Sequence, residues 1–141
     1  MKGLRLYKSE KLCSRTAIDR LFARGRGLKA FPLRAVVRLE PKADAETAPA
    51  RFLITIPKKK HRKAVARVLL RRRVREAYRL HRRAALHPAL EAAGVRADIA
   101  FVYLSDSPLS YAEIESRMTA LLADIARLAA AYKPDDDAKD S

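Results

Sequence analysis

Residues 97–104 read ADIAFVYL, and this run decides the fold class. Apolar side chains occupy nearly every position, so an extended segment here would bury both of its faces. Strands of this kind lie in the middle of a sheet that is covered on two sides. The segment therefore predicts a central strand with helices packed on its sheet, and the neighbouring sequence should supply those helices.

Long helices are predicted on both sides of this strand in the sequence. After it, Ser110 and Glu113 match the S-x-x-E capping box, which marks the start of a helix. The apolar residues that follow keep helical spacing as far as Leu128. Before the strand, residues 63–86 are predicted as one helix whose apolar stripe faces the sheet. That stripe consists of Ala66, Leu70, Val74 and Ala77.

A first helix and two more strands are predicted nearer the N-terminus. The helix covers residues 14–24, and Ser14 is a suitable N-cap for it. The strands cover residues 31–39 and 51–57, because apolar and polar side chains alternate along them. Residues 40–50 between these strands have the Pro, Ala and charge content of a hairpin loop.

Together these elements predict an α/β fold of the α+β sandwich type. A small mixed sheet carries helices packed on it, in the order α-β-β-α-β-α. Residues 87–95 are predicted as a connection, and a further short strand near residues 28–30 is permitted without support from any pattern. We expect residues 1–133 to form a single domain and residues 134–141, PDDDAKDS, to form an acidic disordered tail.

The charge of the chain points to a polyanionic partner. Its 141 residues include 31 Lys and Arg against 16 Asp and Glu, which gives a formal net charge of +15. A globular protein this basic usually binds nucleic acid. No stretch approaches the roughly 18 apolar residues of a membrane span, and MKGLRLYKSEKL (1–12) lacks the apolar core of a signal peptide. We therefore expect a cytoplasmic protein with no membrane partner.

The basic residues are concentrated in residues 58–83, where thirteen Lys and Arg stand against the single acid Glu76. Arginine is well suited to nucleic acid because its planar fork binds phosphate oxygens in pairs and stacks on bases. Four arginines repeat every fourth residue and form a ridge: Arg67, Arg71, Arg75 and Arg79. The full predicted nucleic-acid-binding set, which the resemblance described below assigns to RNA, is Lys58, Lys59, Lys60, Arg62, Lys63, Arg67, Arg71, Arg72, Arg75 and Arg79.

Aromatic side chains near basic positions add a weaker indication, because exposed aromatics beside cations hold unpaired strands by stacking. Each of them taken alone is interpreted as a core residue, and the functional interpretation applies to those on an uncovered face of the sheet. The set is Phe31, Phe52, Phe101 and Tyr103. Cys13, the one cysteine, is interpreted as a small buried or half-buried residue.

No catalytic or metal-binding constellation is predicted in the protein. Metal-dependent hydrolysis would need converging carboxylates or histidines. Glu40, Asp98 and Asp106 are isolated in the sequence and are interpreted as solvated loop or strand-end residues. The histidines show no ligand spacing, and His61 and His81 are interpreted as further members of the basic surface.

Four segments in this order resemble the bacterial ribonuclease P protein component: LFARGRG (21–27), ITIPKKK (54–60), KAVARVLLRRRVREAYR (63–79) and LSYAEI (109–114). The most specific part is the arginine-rich signature of that family, roughly A-V-x-R-N-R-x-K-R-x-x-R-E. This sequence matches it at Ala64, Val65, Arg67, Arg72, Arg75 and Glu76, and Arg71 replaces the lysine. Val68 and Leu69 stand where the family has its Asn and second Arg.

The resemblance implies a left-handed β-α-β crossover between parallel strands, against the usual right-handed rule. It implies a partner, the catalytic RNA, which performs the Mg²⁺-dependent removal of the 5′ leader from precursor tRNA. We expect one protein per RNA, with Mg²⁺ bound mainly by the RNA and the arginine-rich helix facing it. The resemblance also implies a cleft for the single-stranded leader, formed by Ile18, Phe22, Arg34 and Val36.

Two other function classes are considered. A structural rRNA-binding protein without an enzymatic role would have a similar composition. A duplex-DNA binder would place the arginine helix in the major groove, but the sequence lacks a helix-turn-helix partner.

Two hypotheses address Val68 and Leu69. If the helix is regular, both face RNA or solvent, and the lost contacts come from other cations, chiefly Arg62, Lys63 and Arg73. If the helix starts later, both residues pack with Val65 in a local apolar patch.

Overall fold

The computed structural model describes residues 4–42 and 48–133. A short 3-10 helix, Lys8–Glu10, precedes the main elements. These elements are α1 (Arg15–Arg24), β1 (Arg26–Ala30), β2 (Leu33–Pro41), β3 (Ala50–Thr55), α2 (Ala64–Ala85), α3 (His87–Ala93), β4 (Val95–Tyr103) and α4 (Tyr111–Ala130). The predicted α/β sandwich is confirmed, while the predicted tail and residues 43–47 of the predicted loop lie outside the described residues.

The strands form one mixed sheet in the order β1-β2-β4-β3. β1 pairs with β2 and β2 pairs with β4 in antiparallel fashion, whereas β3 and β4 are parallel. β4 therefore lies between two strands, as its apolar sequence predicted. The chain passes from β3 to β4 through α2 and α3, and the left hand of that crossover stays a prediction.

The main core lies between one face of the sheet and α2, α3 and α4. Ala35, Phe52, Ile99 and Phe101 point from the strands into this layer, and each is nearly or fully buried. The helices contribute buried side chains at helical spacing: Leu70, Val74, Ala77, Leu90, Ile114, Met118, Leu121 and Ile125. The predicted stripe of α2 is thus confirmed at three positions, whereas Ala66 is only half-buried near the helix start. No described helix is long and apolar enough to cross a membrane.

The helix N-caps follow the sequence signals. The Ser14 hydroxyl accepts a hydrogen bond from the Ala17 N–H (3.3 Å), and Ser110 accepts one from the Glu113 N–H (3.2 Å). The Glu113 carboxylate in turn accepts from the Ser110 hydroxyl, which closes the cap of α4. Both helices therefore begin where their caps predicted.

Two elements are longer or more regular than the sequence indicated. β1 is a five-residue strand held by its register against β2, with mostly exposed side chains and no alternation that could have revealed it. Residues 87–93 form α3 rather than an irregular connection. Pro88 stands in the first turn of α3 and Gly94 ends it with φ 68°, so the start and stop signals were present. Seven residues are too few to show a helical period.

The second face of the sheet is partly covered by α1. Leu21 of this helix packs with Leu12, Val36 and Ala100 into a smaller buried cluster. At Gly25, just beyond α1, an added Cβ would lie 2.6 Å from Val36 Cγ1. Only glycine allows the helix to approach the strand this closely. The rest of this face stays available to a ligand.

Cys13 corrects an expectation about burial. The preceding Leu12 donates its N–H to the Phe52 carbonyl (2.9 Å), and its side chain is buried. Since neighbouring side chains of an extended segment point to opposite sides, Cys13 faces outward. It is exposed rather than buried or half-buried.

Candidate nucleic-acid interface

The first half of α2 carries an exposed basic surface. The helix begins after Lys63 without a side-chain cap and without an acid in its first turn, so packing of Leu70 and Val74 holds it in place. A helix start of this kind favours anions because its N–H groups and dipole are not compensated. The surrounding cations strengthen that preference.

Seven of the predicted RNA-binding cations have no hydrogen bond or ion pair from their side chains to any other described residue. Six of these side chains are exposed, and that of Arg71 is half-buried. They are Lys58, Lys59, Arg62, Lys63, Arg71, Arg72 and Arg75. Their charges are therefore available to an external anion.

The other three predicted cations have partners inside the protein. Arg67 donates to the carbonyls of His61 and Arg62, each at 2.8 Å, so it braces the loop before α2. Arg79 forms a two-point ion pair with Glu76 (2.6 and 2.9 Å). The hydrogen bond from Arg79 lowers the pKa of Glu76. Lys60 donates to the Leu104 carbonyl. The charge of Arg79 is therefore compensated by Glu76, whereas Arg67 and Lys60 keep their charges and are held in place by backbone carbonyls.

The two histidines assigned to the basic surface have structural partners instead. His61 is buried, its Nε2 lies 2.8 Å from the Ser105 carbonyl oxygen, and its ring meets Tyr103 edge-on. Its assignment to the surface is wrong because it fastens the loop before α2 to the segment after β4. His81 is half-buried and lies 2.8 Å from the Glu115 carboxylate of α4. Neither contact can be predicted from the local sequence, because each joins residues that are far apart in the chain.

Arg82 is one of the thirteen cations of residues 58–83, but it does not contribute to the exposed basic surface. Its side chain is fully buried and all five N–H donors are used. It binds both oxygens of the buried Glu10 carboxylate at 2.6 and 3.0 Å. The remaining donors reach the carbonyls of Leu4, Arg5 and Arg79. Burial opposes ionisation of Glu10, but hydrogen bonds from Arg82 and the Tyr7 N–H outweigh it and lower its pKa.

The contacts of Arg82 with Glu10, Leu4 and Arg5 hold the N-terminal segment beside the second half of α2. An open cavity of about 390 Å³ lies between them, lined by Arg5, Leu6, Lys11, Arg75, Glu76 and Arg79. Arg5 and Lys11 are exposed cations that sequence reasoning did not include in the surface. They were missed because only the long-range contact between Glu10 and Arg82 brings them next to α2.

The four predicted leader-cleft residues differ in exposure because α1 covers part of this face of the sheet. Phe22 is 48% exposed and Arg34 is exposed, whereas Ile18 is half-buried. Val36 is only 3% exposed, because α1 and Gly25 lie against it. A ligand in this cleft would therefore meet Phe22 and Arg34, while Val36 supports the packing underneath.

Three of the four aromatics proposed for stacking are core residues. Phe52, Phe101 and Tyr103 are buried on the face that α2 and α4 cover. Phe31, in the turn between β1 and β2, is 55% exposed. The core interpretation is confirmed for these three, since their strand positions point them into the main core, and within this set only Phe31 is exposed for stacking.

Two of the three carboxylates interpreted as isolated, Glu40 and Asp98, belong to an ion-pair network on the second face of the sheet, whereas Asp106 is exposed and lies 3.8 Å from Lys60. Arg51 grips both oxygens of Asp98 at 3.0 Å, and Arg96 reaches the same carboxylate at 3.2 Å. Arg96 also pairs with Glu40, which accepts from Arg38 at 3.0 Å. Both acids are thus compensated by arginine. Among the described residues, no three His, Cys, Asp or Glu side chains are arranged to hold a metal ion.

Val68 and Leu69 lie on a regular part of α2, so the hypothesis that they tuck into an apolar patch is wrong. They are 45% and 44% exposed, and Val65, which shares their side of the helix, is 81% exposed. Of the cations expected to compensate, Arg62 and Lys63 are exposed, but Arg73 donates to the Leu109 carbonyl at 2.6 Å.

Comparisons with known proteins identify the family of this chain and relate its fold to solved structures. Residues 6–126 match the family model described as Ribonuclease P. Proteins named ribonuclease P protein component from two Porphyromonas gingivalis strains are each 36% identical over 121 residues, which is 86% of this chain and 86% of theirs. The Thermotoga maritima RNase P protein structure superposes with a TM-score of 0.64 at 20% identity, covering 82% of this chain and 97% of its own. The Staphylococcus aureus RNase P protein gives a TM-score of 0.62 at 16% identity, covering 85% and 97%.

Proposed function

The chain belongs to the ribonuclease P protein component family, and we propose that it binds the catalytic RNA of ribonuclease P and the single-stranded 5′ leader of precursor tRNA. In this proposal the ribonucleoprotein removes the leader by Mg²⁺-dependent hydrolysis and leaves the mature 5′ end of the tRNA. One protein would act with one RNA in the cytoplasm.

The observation that carries this proposal is the set of cations on α2 without internal partners. Arg71, Arg72 and Arg75 lie within two turns of one helix and form no ion pair with any described residue. Like charges at this spacing cost a few tenths of a kcal/mol per pair in the free protein. Phosphate groups of RNA would reverse that repulsion, and each neutralised phosphate would also release counterions.

The leader would bind on the other side of the molecule, where α1 meets the sheet. Phe22 offers an exposed ring for stacking against an unpaired base, and Arg34 offers a charge for the adjacent phosphate. Phe31 extends the same kind of surface at the turn between β1 and β2. Two separate surfaces suit a protein that holds a large RNA and a short single strand together.

The chemistry of cleavage is assigned to the RNA subunit. The described residues do not fit a metal site of their own, because Glu40 and Asp98 are paired with arginine and no metal-ligand cluster forms among the described side chains. We propose that Mg²⁺ is held mainly by the RNA. The residues of this chain would orient and neutralise the RNA and the leader.

Cleavage of precursor tRNA tests this proposal. The purified protein should leave precursor tRNA intact, and cleavage at the mature 5′ end should appear when the ribonuclease P RNA of the same genome and Mg²⁺ are added. The RNA alone at the same Mg²⁺ concentration is the control. Persistent cleavage by an RNA-free preparation would contradict the assignment of catalysis to the RNA subunit.

Sequencing of the RNA that copurifies with the protein from cells supplies an independent readout. Ribonuclease P RNA and precursor tRNAs should dominate the bound fraction. A fraction dominated by ribosomal RNA would instead support the structural rRNA-binding alternative.

A further inference from the structure

Three exposed aliphatic side chains form a continuous strip on the first half of α2. Val65, Val68 and Leu69 are spaced i, i+3 and i+4, so they lie side by side on one face of the helix. Their exposed fractions are 81%, 45% and 44%. Single exposed aliphatic residues are ordinary on protein surfaces, but a grouped strip inside a basic surface indicates a contact.

The strip has no structural role within the described residues. Leu70 and Val74 make the contact of this helix with the sheet, on a different side of the helical wheel. Neither of the two buried clusters includes Val65, Val68 or Leu69. Folding therefore does not account for aliphatic side chains at these positions.

The charges around the strip determine what kind of partner fits it. Arg62, Lys63 and Arg72 surround the strip, are exposed, and have no internal ion pair among the described residues. A second copy of this chain would bring like charges together, which is unfavourable at an interface. RNA satisfies both features, since its phosphates match the cations while the face of a base and the ribose carbons are apolar enough to cover aliphatic groups.

The RNA must be locally unpaired for such a contact. In a helix the base faces are stacked on one another and cannot meet a side chain, whereas nucleotides in loops and bulges can be splayed out. We propose that Val65, Val68 and Leu69 pack against an unstacked nucleotide of the ribonuclease P RNA, within a ring of phosphate contacts made by the neighbouring cations. This inference rests on the proposed function and names the kind of RNA element that α2 recognises.

The proposal predicts a contact whose strength does not depend on salt. Contacts to phosphate weaken steeply as salt rises because bound counterions are released, by about 0.9 in the log–log slope for each phosphate of a duplex. Contact between an aliphatic side chain and a base releases no ions. The two kinds of residue on the same helix can therefore be told apart by their salt dependence.

The test is a titration of the ribonuclease P RNA of the same genome, transcribed in vitro, at several KCl concentrations. Val68→Ala with Leu69→Ala should bind about tenfold more weakly at every concentration, with an unchanged salt slope. Alanine is the best helix former, and both positions are exposed, so α2 should stay intact. Arg71→Ala with Arg75→Ala should also bind more weakly but with a shallower slope.

A second variant and a footprint sharpen the result. Val68→Asn with Leu69→Arg adds a charge and removes the apolar contact, so its slope should be steeper than that of the wild type and its affinity lower at high salt. Chemical probing of bases should show an unpaired nucleotide that the wild-type protein protects and Val68→Ala with Leu69→Ala leaves reactive.

The outcomes separate this inference from the proposed function. If the arginine variant weakens binding while the alanine variant of the strip binds as the wild type does, the inference is overturned and the RNA-binding surface stands. A shallower salt slope for the strip variant would also overturn it, since the loss would then be electrostatic. If neither variant affects binding, the proposed RNA-binding role of α2 fails as well.

Discussion

The arginines of α2 fall into two groups with opposite roles. Arg71, Arg72 and Arg75, near the middle of the helix, have no internal partner among the described residues. Further along, Arg79 pairs with Glu76, and Arg82 is fully buried on Glu10. The difference comes from the acids within reach: Glu76 lies one turn before Arg79 on the same helix, whereas Glu10 comes from the N-terminal segment. A count of arginines therefore identifies a basic helix but does not separate the residues that bind a partner from those that hold the fold.

The largest effect is expected from the buried arginine. Arg82→Met leaves the Glu10 carboxylate buried without its partner and also frees the carbonyls of Leu4 and Arg5. Breaking a buried pair from one side costs about 3–5 kcal/mol. The melting temperature should fall by about 10–20 °C, measured by thermal unfolding under circular dichroism.

Two controls belong to this measurement. Arg83→Ala removes the exposed neighbour on the same helix and should change stability by less than about 0.5 kcal/mol. Replacing both Glu10 and Arg82 with apolar residues of similar size should recover part of the loss, because no charge is left buried. An unaltered melting temperature for Arg82→Met alone would refute the structural role of this residue.

The next effect concerns the arginines of α2 without an internal partner among the described residues, and it appears in binding rather than stability. Arg71→Ala with Arg75→Ala should weaken binding of the ribonuclease P RNA by about tenfold to a hundredfold. The salt slope should become shallower by up to about one unit per lost phosphate contact. Arg117→Ala, an exposed arginine on α4, is the matched control and should have little effect on either quantity. Unfolding of the double variant would show that these side chains belong to the core.

A smaller effect on stability is expected where α2 packs against α4. The hydrogen bond from His81 lowers the pKa of Glu115, and Tyr111 donates to the same carboxylate at 3.2 Å. Burial and this hydrogen bond raise the pKa of Tyr111 to about 12. Because the pKa of Glu115 is depressed in the fold, its contribution to stability is present above its ordinary value of 4.5 and lost as the pH falls below it.

Urea unfolding at pH 7, 5 and 3 measures this contribution. Glu115→Gln should be modestly less stable than the wild type at pH 7, and the gap should close as the pH falls towards 3. A gap that widens with acidification would reverse the assigned sign.

The smallest effect is expected from the apolar strip. Val68→Asn with Leu69→Arg should change the free energy of unfolding by less than about 0.5 kcal/mol, because both side chains are exposed on a regular helix. Urea unfolding of this variant beside Arg82→Met would show the contrast between the two halves of α2 within one assay. A loss of several kcal/mol would mean that the strip packs against the protein after all.

Local pattern was sufficient for much of this protein. The apolar run of residues 97–104 predicted a central strand, and β4 lies between β2 and β3. Ser14 and Ser110 predicted the starts of α1 and α4, because an N-cap acts within its own helical turn. The stripe of Leu70, Val74 and Ala77 predicted which side of α2 is buried. These features depend on neighbours within a few residues, which sequence alone displays.

Contacts between distant residues were decided only by the tertiary structure. Glu10 lies 72 residues from Arg82, and Asp98 lies 47 residues from Arg51, so no local window contains either pair. The same limit applies to β1, whose exposed residues are ordered by their register with β2. It also applies to Arg5 and Lys11, which join the basic surface because the Glu10–Arg82 pair holds their segment there. The sequence shows how many basic residues the chain carries, whereas the acid or carbonyl that each one contacts in the fold determines which arginines remain available to an external anion.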